Sequence, residues 1–244
     1  VGGTGTKGAV IDTLTGAVVE PKHRLLTPKP ATPQRLADTI AELRDHFDWR
    51  GPIGIGLPSV IQAGVVRTAA HISDDWIGVD AQTFLGERLA CPITLLNDAD
   101  AAGLAEVRFG AGQKQNGVVL MLTLGTGIGS ALFINKRLVP NTELGHLVLA
   151  ESSIGRCEAE EYAADSIRKR ESLDWHAWAE RLNQVIAAYE SLLWPDLIIL
   201  GGGGSKKFDR IRSHLRTRAA IVPAEQRNLA GIIGAACAAS TDDN

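Results

Sequence analysis

Cysteine is scarce in this chain. Cys91, Cys157 and Cys237 are the whole complement of its 244 residues. They are far apart and odd in number, so neither a disulfide framework nor zinc-site spacing is present, and free thiols in a reducing compartment are expected. Excess charge of either sign is also missing, since 25 Lys and Arg face 28 Asp and Glu for a net charge of −3. Such a surface does not bind polyanions over a whole face. Nucleic acid is excluded as a partner on this reading, and any phosphate site must be a local cluster. No secretory leader is visible, which points to the cytoplasm. The chain opens at Val1-Gly2-Gly3 without Met and without a strand before that loop, and residues upstream are expected. Residues 117–134 run uncharged for 18 positions, close to membrane-spanning length. Their Gly-Thr-Gly-Ile-Gly centre breaks a helix, so two buried strands joined by a loop are expected there, with no membrane association.

What is present centres on LLNDADAAGLAEVRFG, residues 95–110. A β-rich run ends at Asn97-Asp98 and a run of helix formers follows, which puts an amide and a carboxylate at the C-terminal end of a strand. Ligands bind at that edge in open α/β sheets. Asp98 there can take a proton from a substrate hydroxyl while Asn97 holds a neighbouring one. The plainer alternative is that Asn97, Asp98 or Asp100 only caps the helix.

Three glycine-rich loops accompany this stretch. GGTGTKG (2–8) precedes the strands AVIDT and AVVEP, and its backbone amides, threonines and Lys7 suit phosphate oxygens. VVLMLTL leads into GTGIGS and then ALFI. Because β-branched and aromatic residues follow these glycines, this is a loop between strands and not a dinucleotide fingerprint. GGGGSKK (201–207) follows the buried strand DLIIL and opens a helix, a ready anion site with Lys206. Helical periodicity marks 33–47, 80–89, 159–170, 174–193 and 228–239. Glu143 and His146 flank a glycine in VPNTELGHLVL, either as ligands or as an ordinary turn. Lys206, Lys207, Arg210 and Arg212 form either a basic track or a solvated helix face.

In their order, GGTGTKG, LNDADAAGLAE, LTLGTGIGSA, LVPNTELGHL, AEEYAADS, PDLIILGGG and the final IVPA…AGIIGAA resemble the polyphosphate-glucokinase branch of the repressor/ORF/kinase sugar-kinase family. The resemblance spans essentially the whole chain, and LNDADAAGLAE with PNTELGHL carries most of its specificity. It implies a two-lobed actin-like ATPase (ribonuclease H-like) α/β fold with the active site in the interlobe cleft. The lobes would be 1–112, completed by 228–244, and 113–227. It implies transfer of a phosphoryl group from polyphosphate, and often ATP, to the 6-hydroxyl of glucose, with Mg²⁺, by a homodimer. Asp98 resembles the catalytic base, and Asn97, Glu143, His146 and Glu160 the sugar ligands. Gly3, Thr4 and Lys7, Gly125, Thr126 and Gly127, and Gly202 and Gly203 resemble the phosphate-binding loops. No protein ligand set dedicated to a metal is expected.

This sequence departs from the family pattern at Ser59, where Gly is usual, at His71 for Asn, at Val148 for an acidic residue, and at Gly204 for a larger apolar one. These departures bear on sugar preference and turnover more than on fold. A strictly ATP-dependent glucokinase and a hexose-binding regulator without turnover remain as alternatives.

Overall fold

Strand and helix signals alternate along the chain, and they settle into two units. The computed structural model describes residues 1–240. The first unit comprises Val1–Ala105 and the C-terminal segment from Leu229; the second is Glu106–Asn228. The fold is mixed α/β, the actin-like ATPase architecture expected above.

In the first unit, β1 (Thr6–Ile11) and β2 (Val18–Leu25) form an antiparallel hairpin, with Lys7 opposite Arg24. Helix α1 (Pro33–His46) starts where the Thr32 hydroxyl accepts from Arg35 N and Pro33 presets the first turn. From its buried face, Leu36, Ala37 and Ile40 join Leu57, Trp76 and Leu85 in one core. Strand β3 (Ile53–Leu57) pairs in parallel with β4 (Ile93–Asn97), reached through helix α2 (Ala81–Leu89), and Leu57 lies opposite Asn97. Helix α3 (Asp98–Phe109) leaves directly from β4. Close approach of the last helix decides two glycines. A Cβ at Gly54 on β3 would overlap the carbonyl of Ala235, and one at Gly234 would overlap that of Ala101 on α3.

The second unit carries a five-stranded sheet. Strands β5 (Val118–Leu124) and β6 (Ile128–Ile134) form a hairpin, extended by β7 (Arg137–Val139). On the other side β8 (Leu197–Gly201) runs parallel to β5, and β9 (Ala220–Pro223) runs parallel to β8. Helices α4 (Ala159–Ala163), α5 (Asp165–Arg170) and α6 (Trp175–Leu193) supply Tyr162, Ile167, Trp178, Leu182 and Tyr189 to a core with Leu120, Leu122, Ile198 and Leu200. Glu106 is fully buried here and accepts from the backbone N–H groups of Ala111, Glu225 and Gln226. Helix α7 (Phe208–Ile211) precedes β9, and α8 (Ala230–Ala239) returns the chain to the first unit.

Three expectations need correcting. The helix read over 159–170 is two helices, broken at Ala164, which is extended at ψ 154. Beyond the break Ser166 turns its amide to Gly125 O (3.0 Å) and its hydroxyl to Thr126 O (2.5 Å), so a tertiary contact outbids one helical turn. The third glycine loop opens only a 3₁₀ turn, Gly204–Lys207, and a single α-turn, because Phe208 and Ile211 are drawn into the core. The first loop is shorter than GGTGTKG. It closes as Gly2–Gly5, with paired backbone bonds of 3.2 Å, and Lys7 already belongs to β1. Among the described residues no helix is long and apolar enough to cross a membrane.

Candidate active site

In the first unit the strand-to-helix junction does two jobs with two adjacent side chains. Asn97 is buried, and its Oδ1 accepts from Ala99 N (2.8 Å) and Asp100 N (3.3 Å), while its Nδ2 donates to Ser59 O (3.3 Å). Asn97 therefore caps the helix through its Oδ1. Asp98 is released from capping. Its side chain reaches solvent, yet surrounding protein strips enough water from the carboxylate to raise its pKa above the ordinary range. The Ala99 amide and His71 pull the other way and do not overcome that burial. A carboxylate made more basic and left reachable is suited to accept a proton.

The Gly2–Gly5 turn belongs to the same unit. A Cβ at Gly3 would come to 3.0 Å from the Cβ of His71, so a larger residue there would press on His71. His71 itself sits at φ 63. Thr4 is exposed, and its carbonyl accepts from Arg24 Nη2 at 2.9 Å. Arg24 thus adds a cation to the loop that sequence reading missed; the signal was the hairpin register that sets it opposite Lys7. Ser59, where the family pattern has Gly, is buried with a hydroxyl that finds no partner among the described residues.

In the second unit the hairpin turn Gly125–Gly127 is closed by Gly125 N donating to Gly127 O at 3.0 Å. Glu160 reaches this turn, its Oε2 accepting from Ile128 N at 3.2 Å, and a Cβ at Gly127 would fall on that oxygen. Gly145 is equally constrained, since a Cβ there would strike the Ile128 carbonyl. The segment carrying Glu143 and His146 is a 3₁₀ turn, Leu144–His146, held by Leu144 N on Ser130 Oγ (3.1 Å) and Tyr189 OH on Leu144 O (2.7 Å). His146 Nδ1 lies 2.7 Å from Glu158 Oε2, and its Nε2 is 3.9 Å from Glu143 Oε2. Its pKa is raised, chiefly by the Glu158 hydrogen bond, against the cost of burial, and further by the charges of Glu160, Glu158 and Glu143. Glu158 was not predicted; its only sequence signal was its place three residues before Glu161, whose carboxylate accepts Glu158 N at 3.0 Å. Gly202, at φ 79, and Gly203 follow β8, and a Cβ at Gly204 would come to 2.9 Å from Trp178 and 3.3 Å from Asp165.

The structure thus gathers Asn97, Asp98 and the Gly3–Thr4 turn in one unit, and Glu143, His146, Glu160 and the Gly125–Gly127 turn in the other. His146, Glu158 and Glu160 each offer a ligand atom within 4.8 Å of one another, a spacing that would admit a cation.

Comparison with known proteins adds the decisive observation. The family model described as ROK family matches residues 1–166. The chain belongs to the ROK family. It is 48% identical over 243 residues to the polyphosphate glucokinase of Mycobacterium tuberculosis (strain CDC 1551 / Oshkosh), covering 99% of this chain and 90% of that one. Among solved structures it is similar to the inorganic polyphosphate/ATP-glucomannokinase of Arthrobacter sp. strain KM, with a TM-score of 0.87, 43% identity and coverage of 97% and 94%. The ROK family glucokinase of Streptomyces griseus, in complex with glucose and AMPPNP, shares the fold at a TM-score of 0.79 and 24% identity, covering 98% and 97%. ROK membership accounts for the order of the glycine loops and of the LNDADAAGLAE and PNTELGHL motifs along one chain.

Proposed function

We propose that this ROK protein transfers the terminal phosphoryl group of inorganic polyphosphate, and of ATP, to the 6-hydroxyl of glucose. The sugar oxygen attacks the terminal phosphorus as its proton passes to Asp98, and the shortened polyphosphate or ADP leaves. Such transfer is mostly positioning plus charge stabilisation, with one carboxylate orienting the nucleophile. The observation that carries the reading is Asp98: a carboxylate made more basic by burial, freed from capping by Asn97, at a strand's C-terminal end. Likeness to a polyphosphate glucokinase and to a polyphosphate/ATP-glucomannokinase along nearly the full chain supports both donors.

In this reading Glu143, His146 and Glu160 bind sugar hydroxyls, and Asn97 shapes the junction that presents Asp98. Gly3, Thr4 and Lys7, Gly125, Thr126 and Gly127, and Gly202, Gly203 and Lys206 contact donor phosphates. Mg²⁺ prefers oxygen ligands, usually one or two carboxylates plus substrate phosphates and water. With Asp98 kept as the base, the ion would be held through donor phosphates and water, where it would neutralise phosphate charge. The His146 group does not suit it, because it offers a nitrogen already bonded to Glu158. The three free cysteines support a cytoplasmic setting, and a homodimer is the assembly we assign.

A coupled assay of glucose 6-phosphate formation, with ATP and polyphosphate as separate donors, tests this. Activity with both is expected. Activity with ATP alone would remove the polyphosphate donor, and glucose binding without turnover would make the protein a sensor.

A further inference from the structure

The greatest net positive charge of any stretch this long lies between residues 204 and 218, where Lys206, Lys207, Arg210, Arg212, Arg216 and Arg218 face Asp209 alone. Two of these cations are already engaged: Arg216 pairs with Glu180, and Arg218 lies over Trp194 at 3.8 Å. Lys206, Lys207, Arg210 and Arg212 are exposed and form no ion pair among the described residues. Arg210 is distinguished further. Its guanidinium stands 5.5 Å from the centroid of Trp175, a ring that also carries Arg168 at 4.2 Å. Arg168 donates to Asp165 (2.9 Å) and is mostly buried, whereas no acceptor among the described residues engages Arg210. An arginine steadied by an aromatic face keeps its N–H fork pre-organised and available, the arrangement that phosphate recognition favours.

The surroundings connect this arginine to the phosphate loops. Asp165 and Trp178, neighbours of Arg168 and Trp175, are the groups packed against Gly204 of the third loop. Ser166, on the next residue, holds the Gly125–Gly127 turn through Gly125 O and Thr126 O. Two glycine loops and the Trp175 platform are therefore parts of one packed assembly within the second unit.

We propose that Arg210 on Trp175, with Lys207 and Arg212, is a subsite for the phosphates of a linear polyphosphate chain beyond the third from its reacting end. The inference rests on the polyphosphate reading above and deepens it. ATP ends in an adenosine after three phosphates and has no further phosphates to offer. The subsite therefore separates the two donors.

The test is calorimetric titration of the full chain with long-chain polyphosphate and, separately, with ATP, alongside the donor assay. In Arg210→Gln, polyphosphate affinity should fall about ten- to a hundred-fold, the size expected for losing charge-assisted hydrogen bonds. ATP affinity should change less than about twofold. Arg210→Lys should recover only part of the loss, since it restores charge without the planar fork. Trp175→Leu should weaken polyphosphate binding while leaving ATP binding unchanged. Unchanged polyphosphate affinity in Arg210→Gln, or an equal loss for both donors, overturns the subsite. If the wild type binds polyphosphate through Arg210 but transfers nothing from it, the subsite stands and the donor reading falls. If transfer proceeds in Arg210→Gln with polyphosphate affinity and KM unchanged, the donor reading stands and the subsite falls.

Discussion

At the scale of single residues, neighbours of like type are given different work by their hydrogen bonds. Asn97 and Asp98 are adjacent and both polar, yet the amide caps the helix and the carboxylate is left to solvent. Asp98→Asn should therefore lower kcat by about 10²–10⁴-fold with glucose affinity nearly unchanged, because size is kept and the proton acceptor is lost. Retention of more than about a tenth of wild-type kcat would show that Asp98 is not the base. The raised Asp98 pKa fixes the sign of the pH dependence. The base works ionised, so kcat/KM should drop as pH falls through a value above the ordinary carboxylate range. His146 gives a second check. Its folded-state pKa is raised by Glu158, so the pair's stabilisation is present below the unfolded histidine pKa and lost as pH rises through the folded one. In an NMR titration Glu158→Gln should bring the His146 midpoint down; an unmoved midpoint would deny Glu158 that part.

Secondary-structure elements show how far the sequence could be read, and where it stopped. Helical periodicity found α1, α2 and α6, and the uncharged run 117–134 was correctly divided into two strands by its central glycines. The break at Ala164 was not legible, because its cause is a contact 40 residues away between Ser166 and Thr126. Arg24 and Glu158 escaped for the same reason: each reaches its place through a turn or a pairing register. At the candidate site, motif order located Asp98, Glu143 and His146, but which neighbour capped the helix needed coordinates. Helix α8 supplies an element-scale prediction from two glycines three residues apart. Gly231 has open space where a Cβ would go, whereas a Cβ at Gly234 would overlap the Ala101 carbonyl. Gly231→Ala should be neutral or stabilising by up to about 1 kcal/mol. Gly234→Ala should destabilise by roughly 1–3 kcal/mol or more, since α8 must shift off α3. Urea unfolding of both variants reads the contrast, and equal midpoints would mean that α8 is not packed so closely.

For the whole molecule, the governing fact is that a chain of net charge −3 must hold a long polyanion with a local cluster. General attraction is unavailable, so affinity depends on the number of phosphates that cations contact directly. Each contact releases condensed counterions, which makes polyanion affinity fall steeply as salt rises. The polyphosphate KM should therefore climb more steeply with salt than the ATP KM, because ATP engages fewer cations. Lys206 and Lys207, exposed and without ion pairs among the described residues, should carry part of that slope. Replacing both by Gln should flatten the polyphosphate slope and leave the ATP slope closer to its original value. Screening of surface charge alone, with a Debye length of about 8–10 Å near physiological salt, would act on both donors alike. Salt titrations of KM for each donor, in the wild type and the double variant, separate the two cases. Equal slopes that the variant leaves unchanged would mean that the polyanion does not run along this segment.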